Sequence, residues 1–170
     1  MISGLFVSFG VGALAQSDPE TNLGKLGIVL PEMSRPVANY VKYVRTGNLV
    51  FLSGHGPKNT KGDDITGRVG ADMSIEQGYE AARACGVQLL STLKDACGGD
   101  LKKVKRIVKV LGMVNCTETF TQQPKVMNGF SDLMVAVFGE KGKHARSAVG
   151  MHALPNNIAV EIEMVVELEN

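Results

Sequence analysis

The chain has no tryptophan among its 170 residues, and Phe and Tyr bring its aromatic content to only 5%. A surface that stacks the bases of single-stranded nucleic acid relies on exposed rings, so this scarcity argues against one. Neither sign of charge is in excess. Eighteen Lys and Arg against 17 Asp and Glu leave a net charge of +1, far from the basic balance of a phosphate-steered binder. The three cysteines, Cys85, Cys97 and Cys116, are odd in number and none has CxxC spacing. They are expected to be reduced, mostly buried thiols. Neither they nor the three scattered histidines show the paired ligand spacing of a structural zinc site, so no metal is expected. A GxxxxGK[ST] loop is absent, which removes the usual basis for nucleotide hydrolysis. Internal repeats and low-complexity segments are also absent.

What is present suits one domain. The first sixteen residues, MISGLFVSFGVGALAQ, carry no charge and end in Ala13-Leu14-Ala15. That resembles a signal peptide and its cleavage site. No Lys or Arg precedes the apolar run, however, and the run is too short to span a bilayer. Unpaired thiols also fit a reducing compartment. Residues 1–24 are therefore read as an N-terminal extension whose apolar first sixteen residues pack on the domain or on a neighbouring chain, and the domain proper as 25–170. A cytoplasmic location is expected, with export as the alternative.

Prolines 19, 31 and 36 mark an extended lead-in with a short helical turn near Asn22–Leu26. Residues 40–45 (YVKYVR) and 49–53 (LVFLS), joined by Thr46-Gly47-Asn48, read as a hairpin. A short third strand is expected at Ile65–Val69. Ser74 with Gln77 three residues on forms a capping box that opens a helix over 75–97. Ile75, Ala82, Cys85, Leu89 and Leu93 form its apolar face, and Gly98-Gly99 stops it. Residues 104–115 return to strand character. A second helix covers 123–138, with Val126, Phe130, Leu133, Met134 and Val137 as its stripe and Gly139 at its end. In the last strand Ile158, Val160, Ile162, Met164, Val166 and Leu168 face one way, and Glu161, Glu163, Glu167 and Glu169 the other. The order is β-β-β-α-β-α-β-β. It predicts an α+β layer pair: one mixed sheet with two helices on one face.

The four residues Leu154-Pro155-Asn156-Asn157 suggest a turn joining 145–153 to 158–163 as a hairpin. Ala153 would pair with Ile158, Met151 with Val160 and Val149 with Ile162, giving an apolar face toward the helices. The opposite face would carry Arg146, Ala148, Gly150 and His152 together with Glu161 and Glu163. Arg146 and Glu161 would then lie roughly 13 Å apart along the strands, at two ends of a small cavity floored by Ala148 and Gly150. A guanidinium suits a carboxylate ligand because its fork donates two parallel hydrogen bonds. A glutamate suits holding or activating water. On the pattern alone, both are more simply read as ordinary solvated or interface charges. The non-helix face also carries Val165, and self-association is the obvious means of covering it.

Ala145-Arg146-Ser147 through Leu154-Pro155, followed by Val160-Glu161-Ile162-Glu163, closely resembles the C-terminal signature of the RidA/YjgF family of imine/enamine deaminases, also described as endoribonuclease L-PSP proteins. Tyr40, Leu52-Ser53-Gly54 and Pro57 match the upstream motif. The resemblance covers about residues 25–170. It implies a chorismate-mutase-like fold and a homotrimer with sites in the clefts between subunits. It also implies that Arg146 binds the substrate carboxylate and Glu161 positions or activates water, while Tyr40, Ser53 and Gly54 line the pocket with Ala148 and His55. No cofactor is implied, and no membrane partner. Ala148 stands where many such deaminases have Cys, and His55 where Gln is commoner, so the substrate is left open.

The run Lys102, Lys103, Lys105, Arg106, Lys109 is read as a solvated connection rather than an RNA groove. His144 and His152 flank the Arg146 strand and are read as surface residues. Three functions follow in order: deamination of imine or enamine intermediates to 2-keto acids, non-catalytic sensing of small carboxylates in the same cleft, and RNA cleavage, for which neither a His pair nor a basic groove is evident.

Overall fold

The computed structural model describes residues 18–33 and 38–169. The signal-like segment 1–16 lies outside the described residues. Asp18 caps a first helix, α1 (Pro19–Lys25), by accepting from the Glu20 amide at 3.2 Å. The helical turn expected near Asn22–Leu26 is this helix. It seats Leu23 in the core and donates from Asn22 Nδ2 to the Val137 carbonyl.

Strands β1 (Tyr43–Thr46) and β2 (Leu49–His55) form the expected hairpin, with Gly47 at φ 58° in its turn. Ser74 and Gln77 make the reciprocal capping box that starts α2 (Ile75–Ala96). Gly98 and Gly99, both at positive φ, follow its end, as only residues tolerant of that conformation do readily. After β3 (Val104–Asn115) comes α3 (Gln123–Phe138), ended by Gly139 at φ 60°. The five stripe residues of α3 are all buried. Strands β4 (Ala145–Met151) and β5 (Val160–Leu168) complete a mixed five-stranded sheet of order β1-β2-β5-β3-β4. Helix α2 lies over β2 and β5, α3 over β3 and β4, and α1 rests on α3. Among the described residues no helix is long and apolar enough to cross a membrane.

Two expectations fail. The strand over Ile65–Val69 is reduced to isolated bridges, Thr66 with Ile158 and Val69 with Met73 and Cys116. Gly67 at φ 134° and Gly70 at φ 88° turn the chain out of an extended ladder. The larger correction concerns the C-terminal hairpin, because β4 and β5 are not neighbours. Strand β3 lies between them, antiparallel to β5 and parallel to β4. The Leu154–Asn157 segment is a single 3-10 turn with Asn156 and Asn157 at φ 53° and 57°, and it redirects the chain without pairing its flanks. The intervening α3 makes β3–α3–β4 a crossover unit, whose strands run parallel. The central place goes to β5, whose apolar residues form the most continuous buried row, while the Ala-, Ser- and Gly-rich β4 takes the edge.

The new partner reverses the face of β4. Val110 pairs with Arg146, Gly112 with Ala148 and Val114 with Gly150. Val110 and Val114 are fully buried beneath the helices, so Arg146, Ala148 and Gly150 face α3. Val149, expected inside, is 40% exposed. On β5 the alternation holds: Glu161 and Glu163 lie on the open face opposite Met113 and Leu111.

Candidate functional site

Glu161 is held in a built environment. Leu52 pairs with Met164 and His55 with Ile162, so Ser53 and Gly54 together oppose the single residue Glu163. This is a β-bulge, a device that re-aims side chains at a strand's end. Gly54 sits in it, and a Cβ there would come within 2.9 Å of the Glu161 carboxyl carbon and closer still to its Oε1. The missing side chain is therefore what lets the carboxylate lie against the β2 backbone. Burial, and secondarily Glu163, push the Glu161 pKa above the ordinary carboxylate value. Such a shift makes a carboxylate a stronger base near neutrality. No ion-pair partner for Glu161 is found among the described residues.

The carboxylate lines an open pocket of about 260 Å³ together with Tyr40, Lys42, Gly54, Gln88 and Asn156. Tyr40 is 47% exposed at its rim, with Lys42 Nζ 5.9 Å from its ring centre. Ser53 donates its hydroxyl to the Val41 carbonyl at 2.7 Å, tying the bulge to the strand lead-in. His55 also borders the pocket, but the residue is buried and its ring is held between the Ser53 carbonyl at 2.7 Å and Thr92 Oγ1 at 2.8 Å. Desolvation lowers its pKa. The neutral ring donates from Nδ1 to the carbonyl and accepts from Thr92 at Nε2. It fastens one side of the bulge to α2.

Arg146 and Ala148 belong to a different part of the molecule. The Arg146 guanidinium lies on α3, donating to Asn128 Oδ1 at 3.1 Å, Ser131 Oγ at 2.8 Å and the Pro124 carbonyl at 3.3 Å. Ala148 packs against the core. Arg146 and Glu161 are two strands apart, roughly 9.6 Å across the sheet. They are also offset by three residues along β3 and lie on opposite faces. Within one chain they do not converge, and the shared floor expected from the hairpin does not exist. Tyr40, Gly54 and Glu161 do converge.

Reading the sequence missed Lys42, Gln88 and Asn156 at the Glu161 pocket, and Asn128, Ser131 and Pro124 beneath Arg146. Only the last three left a signal, since positions 124, 128 and 131 fall at i, i+4 and i+7 on the face of α3 beside the apolar stripe. The basic run is dispersed as expected of a solvated connection. Lys105 and Arg106 pair with Glu167, Lys102 with Asp18, and Lys109 bonds Ser147. His152 is exposed, whereas His144 is tucked edge-on against Phe130.

Comparison with known proteins agrees with this architecture. A family model described as "YjgF/chorismate_mutase-like, putative endoribonuclease" matches residues 20–168. "Protein TCP17" of Trypanosoma cruzi is 45% identical over 161 residues, covering 94% of this chain and all of that protein. The crystal structure of Atu1372 from Agrobacterium tumefaciens, a protein of unknown function, superposes with a TM-score of 0.82 at 41% identity, over 89% of this chain and 94% of that one. A 2-iminobutanoate/2-iminopropanoate deaminase of Dermatophagoides farinae is 26% identical over 143 residues, 84% of this chain and 95% of that protein. With the mixed sheet, the element order and nearly the whole chain matched, the protein belongs to the YjgF/chorismate mutase-like family.

Proposed function

We propose that this protein hydrolyses small reactive imines and enamines derived from amino acids to 2-keto acids and ammonia, in a cleft that a second copy of the chain completes. The observation that carries this reading is the Glu161 carboxylate, half-buried, raised in pKa and laid against Gly54 in an open pocket. A carboxylate kept basic beside a cavity suits drawing a proton from water. The deaminase relative from Dermatophagoides farinae supports the reaction class.

In the proposed reaction, Glu161 takes a proton from water as the oxygen bonds to the imine carbon. The C=N electron pair moves to nitrogen, which takes that proton back from Glu161 to give the carbinolamine. Its hydroxyl then yields its proton to Glu161 as the C=O bond forms, the carboxyl passes that proton to the amine as the C–N bond breaks, and ammonia leaves. The substrate carboxylate is held by Arg146. Because Arg146 and Glu161 face away from each other within one chain, the arginine that serves a given Glu161 pocket comes from a neighbouring subunit. A homotrimer is the proposed assembly. The exposed apolar residues of the open face, Phe51 at 45% among them, support burial of that face against other copies.

The test is ammonia release from 2-iminopropanoate and 2-iminobutanoate generated in situ, together with sedimentation to read the assembly. Wild type is expected to accelerate release, and Glu161→Gln and Arg146→Ala to lose it. Mixing the two inactive variants is expected to restore part of the activity, since mixed oligomers contain clefts with both native groups. Wild type indistinguishable from Arg146→Ala across the imine panel removes the proposal.

A further inference from the structure

Arg146 is gripped by more than its three direct acceptors. His144 Nδ1 lies 2.7 Å from the Gly142 carbonyl, and its Nε2 lies 3.1 Å from Ser131 Oγ. A carbonyl oxygen only accepts, so Nδ1 carries the ring proton. Burial, with the nearby Arg146 charge adding to it, favours the neutral ring. Nε2 of that ring is an acceptor, and the Ser131 hydroxyl must donate to it. With its hydrogen committed to His144, Ser131 presents only lone pairs to Arg146 Nη1, 2.8 Å away. The chain is directional throughout: guanidinium to hydroxyl, hydroxyl to imidazole, imidazole to backbone carbonyl.

We propose that Ser131 and His144 are positioning residues, which hold the Arg146 guanidinium through this chain in the orientation that a ligand carboxylate meets. The proposal rests on the proposed role of Arg146 as the carboxylate anchor. The donor count gives it content. An arginine has five N–H donors. Asn128 and Ser131 take the two on Nη1, and the Pro124 carbonyl takes one on Nη2. The Nε hydrogen and the second Nη2 hydrogen have no partner among the described residues. Two remaining donors on adjacent nitrogens suit a bidentate carboxylate. Without His144, the Ser131 hydroxyl is free to rotate and turn its hydrogen toward the guanidinium, which cannot accept it. The Phe130 ring, 5.7 Å from the imidazole and at 70° to it, fixes the other end of the chain.

The experiment uses the full-length protein with Ser131→Ala, His144→Phe, His144→Gln and the Ser131→Ala/His144→Phe double variant. The first readout needs no ligand: NMR of the Arg146 Nε–H group, by its dispersion and relaxation. The second is calorimetric affinity for pyruvate, and the third the division of any activity change between KM and kcat. Ser131→Ala and His144→Phe are expected to mobilise the Nε–H group and to weaken pyruvate binding roughly tenfold, the loss of one charge-assisted hydrogen bond. KM should rise while kcat stays within about twofold, as for lost ground-state binding. His144→Gln, whose amide oxygen can take the Ser131 hydrogen, should recover most of the ordering. The double variant should be no worse than either single one, because both cut the same chain. An Nε–H group equally ordered in wild type, Ser131→Ala and His144→Phe overturns the proposal whatever the ligand result. Mobilisation as expected, with wild type failing to bind pyruvate, supports the positioning chain and removes the proposed function instead.

Discussion

Replacing Gly54 with alanine would put a methyl group where the Glu161 carboxylate now lies. The new Cβ would sit 2.9 Å from Glu161 Cδ and 3.1 Å from its Cγ, whereas ordinary contact begins at 3.4 Å. The backbone itself accepts alanine, since Gly54 is outside the left-handed region, so the effect falls on Glu161. The pocket of about 260 Å³ gives the carboxylate room to withdraw. The stability cost should therefore sit at the low end for overpacking, about 1 kcal/mol. Catalysis should suffer more. In the proposed reaction Glu161 is a general base that acts on water rather than on the ligand carboxylate; displacing such a base by roughly 1 Å lowers the rate about 100-fold, and the loss should appear in kcat. The assay pairs ammonia release with urea unfolding of Gly54→Ala, Glu161→Ala and the double variant. If the clash is the cause, alanine at 54 costs about 1 kcal/mol with Glu161 present and close to nothing without it, an interaction energy of about 1 kcal/mol. Gly56→Ala is the control, since its Cβ would meet Ile158 Cδ1 at 3.0 Å and not Glu161. Wild-type kcat in Gly54→Ala, or an undiminished stability cost in the Glu161→Ala background, would refute the reasoning.

Glu161→Gln should stabilise the protein at neutral pH while removing activity. The folded pKa is raised above 4.5 by burial and then by Glu163, so wild-type stability falls as pH rises through that window. The advantage of Gln should open above pH 4.5 and vanish below it, read as urea midpoints at acid and neutral pH. His55→Leu strands Thr92 Oγ1 and the Ser53 carbonyl and is expected to cost about 2–3 kcal/mol, measurable by the same unfolding. The pKa values of His55 and His144 are lowered by burial, so the unfolded chain protonates first. Wild-type stability should hold above pH 6.5 and decline as pH falls from there toward the folded values, less steeply in His144→Gln. Cys85 and Cys97 are buried and free, burial raises both thiols, and Cys97 is pushed up to about 11. Neither should react with a thiol reagent at pH 8 until the protein unfolds.

Much of the fold was legible because its signals are local. Ser74 with Gln77, the glycines at 98, 99 and 139, and the stripes of α2 and α3 each act within a few residues, and each element lies where they place it. The alternation of β5 was equally plain. Strand β4 carries no such local signal. Ala145, Ser147, Ala148 and Gly150 offer too little apolar contrast to mark a face, which leaves the turn at Leu154–Asn157 as the nearest cue to its register. A turn between strands sets a register only if the strands it joins are partners, and here β3 occupies the place between them.

The sequence by itself determined which residues are helical, which strand is two-faced, and that Arg146, Gly54 and Glu161 belong to one recognisable pattern. Local propensity, capping and periodicity are properties of the chain, and a motif is read along it. Only the tertiary structure decided which strands meet, and with that the meaning of the motif. Pairing is a contest among distant segments for the most apolar central position, and β5 takes it. As a result Glu161 comes against Gly54 through a bulge, Arg146 turns onto α3, and two residues fifteen positions apart in sequence face away from each other in the same molecule.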